Sequence, residues 1–160
     1  MGIISFIKEA GERLFGKPAA AATNDAEKTA TANRDAATAI ENHIAKFNFT
    51  VTGLTVTFDT AGGTAKVYGV AKDQETKEKV ILAAGNVEGV SAVDDMMTVD
   101  HSAPEAQYYS VVKGDTLSKI AKQFYGNAND YMRIFEANKP MLTHPDKIYP
   151  GQNLRIPAKS

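Results

Sequence analysis

Residues 73–99 read DQETKEKVILAAGNVEGVSAVDDMMTV, and the passage changes period partway along. Asp73 is a candidate N-cap, a side-chain oxygen placed to accept from the free N–H groups of a first helical turn. Val80, Ile81 and Ala84 supply an apolar stripe at helical spacing, and Gly85 marks the helix end. From Gly89 onward, GVSAVDDMMTV has strand character. A helix, a glycine-flanked turn GNVEG at 85–89 and a strand are therefore expected in succession.

Upstream, GLTVTFD (53–59) and TAKVYGVA (64–71) alternate apolar with polar residues and are joined by TAGG, the pattern of a β-hairpin. Before them, RDAATAIENHIAKFNF places Ala36, Ile40, Ile44 and Phe47 at steps of three or four, which predicts a helix with one buried stripe. The order helix, strand, strand, helix, strand predicts a small α+β sandwich with its helices on one face of the sheet. Adjacent strand side chains point oppositely, so Asp94 and Asp95 cannot readily share one ion or substrate.

The chain has 160 residues, 43% of them hydrophobic, which suits two small domains. Eighteen Lys and Arg against 19 Asp and Glu leave a formal charge of −1. That balance exerts no general pull on nucleic acid or anionic membrane. The absence of cysteine excludes disulfides and thiol chemistry and fits a reducing compartment. The apolar run IISFI (3–7) is too short for an export signal, and no stretch approaches the ~20 apolar residues of a membrane span. A soluble cytoplasmic protein without stable membrane insertion is expected.

Residues 1–16, MGIISFIKEAGERLFG, space Ile3, Ile4, Phe6, Ile7, Ala10 and Leu14 as in an amphipathic helix interrupted at Gly11. Docking on the protein's own body suits its mixed-charge polar face better than anionic lipid does. Residues 17–32 are rich in Ala and Thr and read either as a tether or as a weak extension of the next helix. The polar segment around Pro104 marks a boundary, with 101–106 as linker.

Beyond that boundary, YYSVV, KGDTL, a helix with Leu117, Ile120 and Phe124 inward, IFEANKP and IYPGQNLRIP follow in order over 107–158. Asp115 or Thr116 can cap the first helix, and Gly114 and Gly151 relieve turns. This segment resembles the LysM domain over its whole length. The VYGVA strand, the helix and the GNVEGVSAVDDMMTV return resemble the BON domain over 33–100. The expected fold class is therefore α+β in two domains, BON (αββαβ) and LysM (βααβ), after an N-terminal amphipathic helix.

The two modules in this order resemble the family of small cytoplasmic bacterial potassium-binding proteins. FIKEAGERL, AAGNVEGVSAVDD, YGNAND, IFEANKPML and PDKIYPGQNLRIP carry that resemblance, which fails over 17–32. It implies K⁺ as the bound ion, a role in sensing or buffering, and compaction on binding. It also implies main-chain oxygen ligands from Ile7, Ala10 and Glu12 in the first segment and Gly85 and Val87 in the turn, with Val90 nearby as the sixth.

Such ligands suit a large, weakly hydrated cation, and the last carbonyls of a helix lack intrahelical partners. On the residues alone, ordinary helix capping is the favoured account of each segment, and it is the resemblance that brings in the ion. Gly85 and Gly89 are expected to permit backbone conformations that other residues resist. A monomer is expected, with no nucleic-acid partner. The alternative is an envelope adaptor in which the LysM domain holds peptidoglycan- or chitin-type glycan and the BON domain meets membrane or protein. Its groove would offer Met141 and Tyr149. No catalytic residue is indicated, since GxSxG, HExxH, P-loop and Rossmann patterns are absent. His43, His101 and His144 have no zinc-site spacing.

Overall fold

The computed structural model describes residues 3–6, 11 and 26–158. Strand β1 (Ile3–Ser5) comes first, followed by helix α1 (Ala26–Ala45), strands β2 (Val51–Asp59) and β3 (Thr64–Asp73), helix α2 (Gln74–Gly85) and strand β4 (Ala92–His101). These form one four-stranded sheet in the order β1-β4-β3-β2. β2 and β3 are the expected antiparallel hairpin, while β3 and β4 run parallel because α2 crosses over between them.

The sheet row that faces the helices is set by register. Val56 lies opposite Val67, Phe58 opposite Ala65, and Ala65 opposite Val93 on the next strand. These side chains are buried with Ile40 and Ile44 of α1 and Val80 and Ile81 of α2. Asp73 caps α2 as its position suggested, its side chain accepting from Thr76 N–H at 2.8 Å. Asp94 and Asp95 do point oppositely: Asp95 is buried on the helix side, where Lys77 Nζ lies 2.9 Å away, and Asp94 is only half-buried.

One expectation for the N-terminal region changes. Ile3–Ser5 form a strand antiparallel to β4, Ile3 opposite Asp94 and Ser5 opposite Ala92, where a helix was expected over 1–16. Two consecutive β-branched residues next to an open strand edge gain ladder hydrogen bonds there, and that tertiary gain overrides the helical spacing. Residues 7–10 and 12–16 of that expected helix lie outside the described residues. Helix α1 begins at Ala26, so the end of the Ala/Thr-rich stretch extends the helix that follows it.

The second domain consists of β5 (Gln107–Ser110), α3 (Leu117–Tyr125), a 3₁₀ turn (Ala128–Asp130), α4 (Tyr131–Ala137) and β6 (Asn153–Ile156). β5 and β6 pair antiparallel, and Leu117, Ile120, Ile134, Leu142, Leu154 and Ile156 form its core. Thr116 is the cap of α3, accepting from Lys119 N–H. Asp115 instead accepts from Tyr109 Oη at 2.6 Å and Val112 N–H at 3.0 Å. No helix among the described residues is long and apolar enough to cross a membrane.

Candidate functional site

Helix α2 ends where the chain's first residues return to it. Asn86 caps the helix with φ −85°, its N–H bonded to Leu82 O at 2.9 Å. Val90 N–H then bonds to Val87 O at 3.0 Å, and Gly89 takes φ +102°, closing a tight turn. Gly89 thus uses the left-handed freedom expected of it. Gly85 does not, because its requirement is space: a Cβ there would lie 2.0 Å from Phe6 Cζ. Phe6 lays its buried ring on that bare backbone and donates its N–H to Ser91 O at 2.8 Å.

Gly11 meets the same turn from the other side. It has φ +112°, and a Cβ on it would fall 2.4 Å from Asn86 O and 3.0 Å from Val87 N. The Gly11 segment and the GNVEG turn, 75 positions apart, are therefore in backbone contact at the negative end of the α2 dipole. Of the candidate ligands, Gly85, Val87 and Val90 are buried in this turn. Ile7, Ala10 and Glu12 lie outside the described residues. Carbonyl oxygens grouped at a helix end fit a monovalent cation without carboxylate help.

The side chain beside this turn engages the second domain. Asn86 Nδ2 donates to Asn153 O at 2.9 Å, and Asn153 N–H donates to Asn86 Oδ1 at 3.0 Å. Asn138 does the same two residues on: its Nδ2 donates to Arg155 O at 3.0 Å and its Oδ1 accepts Arg155 N–H at 2.8 Å. The β6 edge away from β5 would otherwise present unpaired backbone groups. One asparagine from its own domain and one from the BON helix close it. Asn153's side chain reaches further, donating from Nδ2 to Ser5 O at 3.0 Å and accepting from Ser110 Oγ. Asn86 and Asn153 carried no signal in the sequence beyond an asparagine after a helix-ending glycine, and Phe6 stood out only as one position of an expected helical stripe.

A buried ion pair completes the junction. Glu78 Oε1 accepts from Arg155 Nε at 2.6 Å, while Oε2 accepts from Gln74 Nε2 at 3.0 Å and Ala106 N–H at 2.9 Å. Burial, reinforced by the Glu78 carboxylate, pushes the neighbouring Tyr108 phenol well above its ordinary range. The four residues of β6 are consequently buried on both faces, Leu154 and Ile156 toward their own core and Asn153 and Arg155 toward the first domain.

The two residues offered to a glycan are both half-buried. Met141 packs against the first domain's core, and Met141 and Tyr149 line a groove of about 230 Å³ with His43, Phe47, Leu82 and Ala83. Among the described residues, no group of three His, Cys, Asp or Glu side chains is placed to hold a metal ion.

Architecture and junction define a two-module binding protein, and the family models agree: residues 32–101 match the BON domain and 109–157 the LysM domain. Both are binding modules rather than catalytic ones. Over 163 aligned residues the chain is 46% identical to the potassium binding protein Kbp of Escherichia coli, covering 99% of this chain and all of that one, and it belongs to that protein's family. An uncharacterized protein of Deinococcus radiodurans is 39% identical over 100 residues, 56% of this chain and 38% of the relative. The uncharacterized protein YqbP of Bacillus subtilis is 38% identical over 65 residues, 35% of this chain and 29% of the relative.

Proposed function

We propose that this protein is a cytoplasmic, monomeric K⁺ binder that serves as an ion sensor or buffer. Main-chain oxygens of Ile7, Ala10, Glu12, Gly85, Val87 and Val90 hold the ion, and ordering the N-terminal segment against the α2 turn compacts the molecule. The observation that carries this reading is the seating of Gly11 on the Asn86–Val87 peptide. The name of the Escherichia coli relative supports the choice of ion.

The chemistry is consistent with that choice. Neutral carbonyl dipoles can replace the loosely held water of K⁺, whereas a divalent ion is better served by carboxylates. Val87 O accepts a hydrogen bond from Val90 N–H, and a carbonyl oxygen carries a second lone pair able to meet a cation. Compaction follows only to the extent that the ion prefers the compact state over the loose one.

Calorimetry in a buffer free of alkali-metal ions tests the reading, with KCl titrated against NaCl and CaCl₂. Saturable heat with K⁺ alone is expected, and its absence overturns the proposal. Identical small-angle scattering dimensions in K⁺ and Na⁺ would remove the compaction while leaving the binding.

A further inference from the structure

At the opposite end of helix α2 from the GNVEG turn, the first helical turns border a cavity of about 560 Å³, walled also by β1 and by the segment leading into β5. That volume falls within the roughly 300–1,000 Å³ of small-molecule sites. Its floor is built from buried charge. Lys77 Nζ and Asp95 Oδ2 pair at 2.9 Å with side chains 12% and 10% exposed, and Asp95 Oδ1 accepts Met97 N–H. Glu78 is held by Arg155, Gln74 and Ala106. Both floor carboxylates are therefore satisfied by the protein itself.

Other groups on the lining are not. Lys77 uses one of its three protons on Asp95. Among the described residues, Tyr108 Oη, the Gln74 side-chain oxygen and the Glu105 carboxylate have no hydrogen-bond or ion-pair partner. From this complement we infer that the cavity binds a small zwitterion, an α-amino acid with an aliphatic side chain. Its carboxylate meets the Lys77 ammonium and the Tyr108 hydroxyl beside the positive end of the α2 dipole. Its ammonium meets Glu105 and the Gln74 oxygen, and its alkyl part lies along Ile4 and Ile3, the latter 66% exposed. Burial, reinforced by Glu78, keeps the Tyr108 phenol protonated and so able to donate. Charge argues against simpler ligands. Lys77 and Arg155 offset Asp95 and Glu78, which leaves Glu105. A bare anion would meet that uncompensated carboxylate, and a bare cation would leave the Lys77 protons unmet.

The test is calorimetry on the full chain with L-leucine, with isocaproate, which is the same skeleton without the amine, and with isopentylamine, which lacks the carboxylate. Leucine is expected to bind about tenfold more tightly than either half, since each half forgoes one set of charge-assisted hydrogen bonds. Tyr108→Phe should weaken leucine about fivefold and narrow its advantage over isopentylamine. Glu105→Gln should weaken leucine by a similar factor of about five and narrow its advantage over isocaproate. Each substitution removes a group that no described residue engages, so the fold should hold, and circular dichroism checks it. If one variant does not fold, the other carries the test. Amide resonances of Ala106 and Gln107 should shift on adding leucine to the unaltered chain. Absence of leucine heat overturns the inference, as does isopentylamine binding as tightly as leucine, or leucine affinity unchanged in both variants. None of these outcomes depends on K⁺, because the cavity and the GNVEG turn lie at opposite ends of α2.

Discussion

Arg155 Nε on the last strand lies 2.6 Å from Glu78 Oε1 on the helix of the other domain, and the two side chains are only 11% and 2% exposed. Glu78 also accepts from Gln74 and Ala106, so one buried carboxylate gathers the BON helix, the linker and the LysM strand. Both carboxylate oxygens are therefore occupied, as a buried charge requires.

Removing one partner of this pair leaves the other charge buried without compensation. Glu78→Ala should lower unfolding stability by about 3–5 kcal/mol, whereas Glu78→Met with Arg155→Leu should recover most of that loss. Urea denaturation of the three proteins measures both. A loss below about 1 kcal/mol in Glu78→Ala would place the pair with surface salt bridges, which contribute little.

Gly11 and Gly85 are each held at glycine by a neighbour. An alanine methyl would meet Asn86 O at the first and the Phe6 ring at the second. Gly11→Ala also enforces a left-handed backbone on a residue that resists it. Overpacking of this kind costs about 1–3 kcal/mol, and each variant should lose K⁺ heat more completely than it loses melting temperature. Calorimetry and thermal melts on the same samples separate the two effects.

Asn138 is 2% exposed and its side chain makes three hydrogen bonds, two to Arg155 and one to Ile134 O at 2.7 Å. Truncation strands buried donors and acceptors, each worth about 1–3 kcal/mol. Asn138→Ala should therefore destabilise by several times the effect of a surface change such as Lys122→Ala, as read from chemical denaturation.

The Tyr109–Asp115 hydrogen bond bounds stability on both sides of neutral pH. That bond, with help from Val112 N–H, holds Asp115 below its ordinary 3.8, and the same bond raises Tyr109 above 10.0. A lowered carboxylate stabilises the fold above its unfolded pKa and is lost as pH falls through the folded value. A raised phenol stabilises below 10.0 and is lost as pH climbs through its folded value. Tyr109→Phe should therefore be less stable than the parent near neutrality and converge on it as pH falls from 3.8 through the lowered Asp115 value. Denaturation midpoints across pH 2–7 measure the convergence.

Much of the architecture was legible because it rests on local physics. The Asp73 cap, the stripe through Ile40 and Ile44, the alternation in β2 and β3 and the capped α3 all follow from side-chain period and hydrogen-bonding chemistry within a few residues. The N-terminal strand was not legible in that way. Ile3, Ile4 and Phe6 fit a helical stripe, and only the open edge of β4, about ninety residues on, makes pairing the better outcome.

The candidate site divides along the same line. Glycines 11 and 85 stood out in the sequence as a break and a stop in helical pattern, and the turn GNVEG followed from its glycines. Their contact did not, since main-chain oxygens leave no side-chain signature and the separation of the segments carries no periodicity. Asn86 and Asn153 are ordinary polar residues until β6 is laid against α2. The sequence by itself therefore determined the two modules, their caps and their cores, because those depend on neighbours along the chain. Only the tertiary structure decided that Gly11 rests on the Asn86 peptide and that a LysM strand grips the same residue, because backbone contacts between distant segments exist only once both domains have packed.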